Sequence, residues 1–232
     1  MNRLTDVAEL LDGPLDDETA LVANLRDLSR LNRWTGGTAL SVAAVRTLGP
    51  IASLIDVGTG AADIPIALIA DARGLGRQLH VTATDSRPEV LAAARRASPT
   101  LATTDGLVLE IADGRSLPYP DATFDVAHAS LVVHHLDPVA AVACLRELLR
   151  VARCGVVVND LTRGWPVWIG AWLLTHTVAR GRYTRHDGPL SVRRAYTPAE
   201  LVDLLGQAGL TPMAIRFGLA RHRVAIAATA TP

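Results

Sequence analysis

The stretch "LIDVGTGAADIPIAL" (residues 54–68) runs apolar up to an acid, Asp56, breaks into two glycines one residue apart, Gly58 and Gly60, and resumes with helical spacing. A strand running into a helix through such a loop is the start of an α/β nucleotide-binding unit. A dinucleotide loop would have a third glycine where this one has Asp63, and a carboxylate there would repel a pyrophosphate. Taken alone, the loop also reads as a tight strand-to-helix turn, with Asp63 capping a helix whose first turn holds Pro65.

The surrounding pattern extends the unit. Short β-rich runs at 53–57, 79–84, 107–111, 124–129 and 155–159 alternate with helical segments at 64–72, 88–97 and 139–151. Two further strand-like runs, 212–218 and 223–228, lie close enough to form a hairpin. The expectation is a doubly wound, mostly parallel seven-stranded α/β sheet, Rossmann-like, with an antiparallel C-terminal hairpin. Residues 1–50 carry helical periodicity broken by "DGP" and "TGG" and read as a helical cap, leaving 51–232 as the main domain. Within it, about 161–196 reads as a lid-like insertion of one apolar, tryptophan-rich helix and a polar stretch, "RGRYTRHDGPLSVRR", taken as a solvated loop. In "YTPAELVDLLGQAGL", Thr197, Pro198 and Glu200 make a capping box and Gly209 stops the helix.

Composition narrows the chemistry. All 23 Lys+Arg residues are arginine, which excludes a Schiff-base, pyridoxal-phosphate or P-loop lysine. Such arginine usage suggests a bacterial genome. Net charge is zero, so no global field gathers nucleic acid or an anionic membrane. No stretch reaches the ~18 apolar residues of a membrane span, and the N-terminus has acids where a signal peptide needs an apolar core. The two cysteines, Cys144 and Cys154, lack metal-ligand spacing and read as buried hydrophobes of a reducing, cytoplasmic protein.

Two more acids end strands. Asp85 follows the second strand, where it can take both hydroxyls of a ribose, and Asp113 follows the third, where it can accept from an adenine amine. Either alone could be a turn residue; the coincidence at three strand ends suits a ligand with an adenosine, a positive centre and no phosphate. These stretches resemble the class I S-adenosylmethionine-dependent methyltransferases, and the ubiquinone/menaquinone-type branch most closely. "IDVGTGAAD" is similar to their glycine motif, with Ala62 in place of the last glycine. "VTATDSRPEVLAAAR" resembles the ribose-binding motif, and "IADGRSLPYPDATFDVAHASLVVHHLDP" the adenine-binding stretch; "LRELLRVARCGVVVND" resembles the following helix and strand. The resemblance implies that Asp56, Gly58, Thr59 and Gly60 hold the methionine moiety of S-adenosylmethionine. Asp85 and Ser86 would hold the ribose and Asp113 and Gly114 the adenine, with His128 and Ser130 beside the sulfonium and S-adenosylhomocysteine as the product.

The acceptor is less legible. "WPVWIGAWLLTHTVA" puts Trp165, Trp168, Trp172 and His176 on one helical face, which is either a core stripe or a lid over a small apolar or phenolic acceptor with His176 as general base. His134 and His135, after the fourth strand, are the second choice of base. Asn159 and Asp160 end the fifth strand as two metal ligands do in magnesium-dependent catechol methyltransferases, but the further acid those enzymes take after the fourth strand is missing, so no metal is expected. Nucleic acid is disfavoured as substrate, because the Asn/Asp-Pro-Pro-aromatic signature and a Pro-Cys nucleophile are both absent. The expected activity is O- or C-methylation in secondary or quinone-like metabolism, with a homodimer as a candidate assembly. The rival readings are a non-catalytic cofactor-binding partner subunit and a nicotinamide-dependent oxidoreductase.

Overall fold

The computed structural model describes every residue other than 6, 16 and 232. Five strands, β1 (Ser53–Val57), β2 (His80–Asp85), β3 (Leu107–Ile111), β4 (Phe124–Ser130) and β5 (Ala152–Leu161), run parallel. The sheet is completed by β6 (Leu210–Phe217) and β7 (Arg223–Ala230), in the order β3-β2-β1-β4-β5-β7-β6, with β7 antiparallel to both β5 and β6. The seven-stranded sheet and its C-terminal hairpin are as the sequence pattern predicts. Strands β1, β4 and β7 are buried almost throughout, as expected where helices cover both faces of a sheet. Because β1 lies between β2 and β4, the winding reverses there, and a crevice opens at the carboxyl ends of β1 and β4.

Helices α3 (Asp63–Gly74), α4 (Pro88–Ala97), α5 (Pro138–Val151) and α8 (Pro198–Gln207) follow the apolar periodicity of their segments. Proline near the start of α4, α5 and α8 costs no hydrogen bond there and pre-sets φ. Helix α8 has the capping box of Thr197 and Glu200, and Gly209 beyond it takes φ +85°.

The N-terminal segment forms α1 (Glu18–Trp34) and α2 (Gly37–Val45). Leu15, Leu21 and Leu25 pack with Ala61, Ala62 and Val90, so this segment closes over the glycine loop and α4. The tryptophan-rich segment is α6 (Trp165–Val178). The polar stretch after it is not a loop: it is a further helix, α7 (Arg182–Arg194), with Tyr183, Asp187 and Arg194 buried. Its charges are used internally. Asp187 accepts from the backbone N–H groups of Leu10 and Leu11, and Arg194 pairs with Asp12 and donates to the His135 carbonyl. These arginines and acids anchor the N-terminal segment, which is why a stretch that reads as solvated is half buried.

Candidate active site

The glycine loop turns only because its residues accept left-handed backbone. Gly58 (φ +68°), Gly60 (φ +51°) and Ala62 (φ +53°) all lie there, a region that costs an L side chain about 1–2 kcal/mol. At Gly58 a Cβ would also meet Val132 Cγ2 at 2.4 Å, so the loop is pressed against the segment after β4. Ala62 stands where the third glycine of the motif would be, in the same conformation.

This loop floors a cavity of 570 Å³ whose walls include Asp56, Thr59, Asp63, Asp85, Ser86, Asp113, Gly114 and Ser130. Asp85 is fixed from both sides, accepting from Gly60 N at 3.3 Å and Arg87 N at 3.1 Å; burial raises its pKa. Burial likewise raises Asp63, whose carboxylate takes the Asn32 amide at 3.2 Å and the Thr38 hydroxyl at 3.4 Å. Asp113 is held below the ordinary carboxylate range chiefly by Arg115, which grips it at 3.0 and 2.7 Å. At Gly114 a Cβ would approach Val57 Cγ1 to 2.6 Å, so only glycine leaves that wall open. The hydroxyls Thr59 Oγ1 and Ser130 Oγ are buried without a hydrogen-bond partner. A pocket with five carboxylates (Asp12, Asp56, Asp63, Asp85 and Asp113), two arginines (Arg87 and Arg115) and unpaired hydroxyls fits a polar ligand carrying a positive centre. The sequence-predicted cofactor residues meet here with one exception. His128 does not border the cavity but lies behind it, fully buried, bonded through Nδ1 to Asp56 at 2.5 Å and through Nε2 to Ser41 at 2.9 Å. Its place is to hold the Asp56 carboxylate.

A second cavity of 520 Å³ adjoins the first, sharing Leu11, Leu28, Asn32, Leu131 and His135 as wall. Its lining is mostly apolar, with α1, α6 and α7 contributing Leu31, Val167, Leu174 and Val192. Helix α6 therefore does cover a pocket, but with the face opposite to the one expected. Val167, Gly170, Ala171 and Leu174 face in, whereas Trp165 and Trp172 are 60% and 44% exposed and His176 is exposed, stacked on Trp172 with Nδ1 at 2.8 Å from the Trp172 carbonyl. The indole stripe is real, but it is the other side of α6 that meets α7, with Thr175 packed against Gly188. His176 is therefore set aside as a base.

His134 and His135 do reach the second cavity. His134 is buried, its Nδ1 2.6 Å from Asp160 Oδ1 and its backbone N–H donating to the other Asp160 oxygen at 3.0 Å. Desolvation would raise Asp160, but the facing His134 outweighs it and holds the carboxyl low. His135 pairs through Nδ1 with Asp12 at 2.9 Å. Both rings leave Nε2 directed to Glu9, at 3.8 Å from Oε1 and Oε2 respectively. Glu9 is 3% exposed, and burial pushes its pKa up to about 7. Opposite, Arg223 is buried, lowered to about 10 by desolvation, and donates to Asn32 Oδ1 at 2.6 Å. Glu9, Asp12 and Arg223 carry no local sequence signal as site residues, since each acts on a partner more than 100 positions away.

Known proteins share the fold. The methyltransferase-domain family model matches residues 55–158, from β1 to β5. The ubiquinone/menaquinone biosynthesis C-methyltransferase UbiE of Rickettsia akari is 28% identical over 100 residues, and that of Rickettsia bellii 27% over 101 residues. These matches span 43% and 44% of this chain but only 40% of either relative's length. Among solved structures, a SAM-dependent methyltransferase from Aquifex aeolicus superposes over 89% of this chain and 97% of its own, with TM-score 0.63 at 18% identity. Human N-acetylserotonin methyltransferase, solved in complex with SAM, superposes over 96% of this chain and 61% of its own, with TM-score 0.65 at 17% identity. Among the described residues no helix is long and apolar enough to cross a membrane. Glycine loop, strand-end acids and sheet order fall where the family model matches: residues 55–158 are similar to a methyltransferase domain, on a fold shared with S-adenosylmethionine-dependent methyltransferases.

Proposed function

We propose that the protein transfers the methyl group of S-adenosylmethionine to a small, mainly apolar or phenolic acceptor held in the second cavity. The observation that carries this reading is the second cavity itself. It is apolar, large enough for a drug-sized ring system, and shares a wall with the cofactor cavity at Leu131 and His135. When bound, the cofactor supplies a methyl on a sulfonium, an electrophile whose displacement needs alignment and dryness more than acid–base help. Asp85 and Ser86 would hold the ribose, Asp113 and Gly114 the adenine, and Asp56, Gly58, Thr59 and Gly60 the methionine end. Leu28, Leu31, Val167 and Leu174 exclude water from the transfer path. If the accepting atom carries a proton, the carboxylate-held imidazoles of His134 and His135 stand on the cavity wall to receive it. For acceptor chemistry, the relative named for C-methylation matches only 100 residues, 43% of this chain, and carries no argument about the accepting atom.

The test has two parts. Calorimetry with S-adenosylhomocysteine and with NADH asks which cofactor the first cavity takes; micromolar NADH binding with no S-adenosylhomocysteine binding overturns the reading. Incubation with methyl-labelled S-adenosylmethionine and a panel of phenols, hydroxyquinones and fatty amines then asks for label in an organic-extractable product. Cofactor binding without transfer to any cellular extract would favour a non-catalytic subunit.

A further inference from the structure

The pairing of His134, His135 and Glu9 is unusual in a way that acid–base catalysis leaves unexplained. Two imidazole Nε2 atoms converge on the two oxygens of one buried carboxylate, each at 3.8 Å, too far for a hydrogen bond. The rings lie alongside each other, with centroids 4.2 Å apart and planes tilted by 34°. Among the described residues Glu9 Oε1 is buried with no hydrogen-bond partner, and the Arg194 guanidinium stands 3.5 Å from it. A buried carboxylate oxygen left this way is costly, by about 1–3 kcal/mol or more.

We propose that Glu9, His134 and His135 form a binding site for a divalent transition-metal cation of the zinc, iron or cobalt class. One ligand atom from each of the three falls within a 4.8 Å span. Metal bonds to histidine nitrogen and carboxylate oxygen run about 2.0–2.2 Å, which puts neighbouring ligand atoms roughly 3.0–3.4 Å apart. Closing from that span to those spacings takes at most about 1.4–1.8 Å. Each ligating imidazole already has the carboxylate a metal-bound histidine requires on its other nitrogen, Asp160 for His134 and Asp12 for His135. Those bonds fix Nδ1 as the protonated atom and leave Nε2 free to ligate. The surrounding charge suits a cation: Glu9, Asp12, Asp160 and Asp187 lie around it against the arginines Arg194 and Arg223. Two nitrogens and one carboxylate favour borderline cations over magnesium, which prefers an all-oxygen shell. Three protein ligands also leave coordination positions open toward the second cavity. On the reading that this cavity takes the acceptor, those positions would receive an acceptor oxygen and acidify its hydroxyl, replacing the free imidazoles in that task.

The experiment uses the full chain, free of affinity tag, with Cys154→Ser to remove the exposed thiol, after dialysis against chelator. Titration with cobalt(II), followed by visible absorption and calorimetry, should give one site per chain with d–d bands of a low-coordinate nitrogen–oxygen environment. Zinc should displace cobalt and bleach the bands. Glu9→Gln and His135→Ala should each weaken binding at least tenfold. Circular dichroism reports their fold, and S-adenosylhomocysteine affinity in Glu9→Gln should equal that of the parent. No saturable cobalt or zinc binding by the parent, or binding that both variants leave unchanged, overturns the proposal. Because S-adenosylhomocysteine binding is read separately, failure of the metal site and failure of the methyltransferase reading give different results.

Discussion

Asp85 is the most direct test of how the cofactor is held, and its geometry fixes the expected magnitude. Its two oxygens already accept from Gly60 N at 3.3 Å and Arg87 N at 3.1 Å, and each has lone pairs left for a ribose hydroxyl. In Asp85→Asn one oxygen becomes an amide that cannot accept, and the other loses its charge. A hydrogen bond to a charged group contributes about 1.5–3 kcal/mol and a neutral one about 1. The net loss is therefore about 2–5 kcal/mol, or roughly 30- to 5,000-fold in the Kd of S-adenosylhomocysteine. Stability should move the other way or not at all. Burial raises the Asp85 pKa, so the ionised carboxylate is a strain on the free protein, and the neutral amide removes it. The sign with pH follows: a raised carboxyl binds its proton more tightly in the folded state, so its favourable term is present in acid and fades as pH rises through the raised value. Cofactor binding requires the ionised form, and parent affinity should fall on acidification sooner than an ordinary carboxylate would dictate, while Asp85→Asn is flat over that range. Calorimetry between pH 4.5 and 8 with parallel melting curves measures both. An Asp85→Asn protein with native melting and unchanged Kd would refute the ribose assignment.

Filling the second cavity should separate the two ligands: a Cβ on Gly170 meets nothing within 4 Å, so Gly170→Phe should raise the acceptor KM at least tenfold and leave S-adenosylhomocysteine affinity intact by calorimetry. His176→Ala should keep kcat within about twofold, since the ring is exposed and bonded to its own helix; a loss on the order of the 10²–10⁴-fold worth of a general base would restore it as one. Gly58→Ala should cost on the order of 1–3 kcal/mol from its φ alone, more with the Val132 contact, and abolish cofactor binding, read by urea melts and calorimetry. Asp125 accepts from Ala52 N at 2.8 Å and Ser53 N at 2.9 Å; desolvation would raise it, but these bonds and Arg153 hold its pKa low. Its contribution is present above the ordinary carboxylate pKa of about 3.9 and lost as pH falls through the lower folded value, so the urea midpoint gap between parent and Asp125→Ala should shrink in acid.

The cofactor half of the fold is legible because its signals are local. Strand β1 and the loop after it are set by a run of buried apolar residues and by glycines that reach left-handed backbone, and both are visible within fifteen residues. Strand bounds for β1 and β3 and helix bounds for α4 and α8 follow from periodicity and caps in the same way. The strand-end acids are legible because a parallel sheet puts every carboxyl end on one rim.

The second cavity is illegible for the opposite reason. Its faces are decided by which side of α6 meets α7, and the sequence of α6 is apolar all round, so periodicity gives no preferred face. Indoles look like the buried face because they carry the most apolar area, yet the opposite side of α6 faces the cavity through Gly170, Ala171 and Leu174 and meets α7 at Thr175, where Gly188 leaves room for it. A Cβ at Gly188 would meet Thr175 Cγ2 at 2.6 Å, so close packing of the two helices depends on that glycine. The same holds for α7 itself: its mean composition is that of a solvated loop, and it folds as a helix because Asp187 and Arg194 find partners on the N-terminal segment. Charge in a sequence marks exposure only when no partner exists, and here the partners lie some 180 residues away. The second cavity is thus largely a product of tertiary pairing between the first and last thirds of the chain, whereas the residues proposed to hold the cofactor lie in contiguous motifs. The family match accordingly stops at β5, whereas most of the second cavity's wall, from α1, α6 and α7, lies outside it; Leu131, His134 and His135 are the part within.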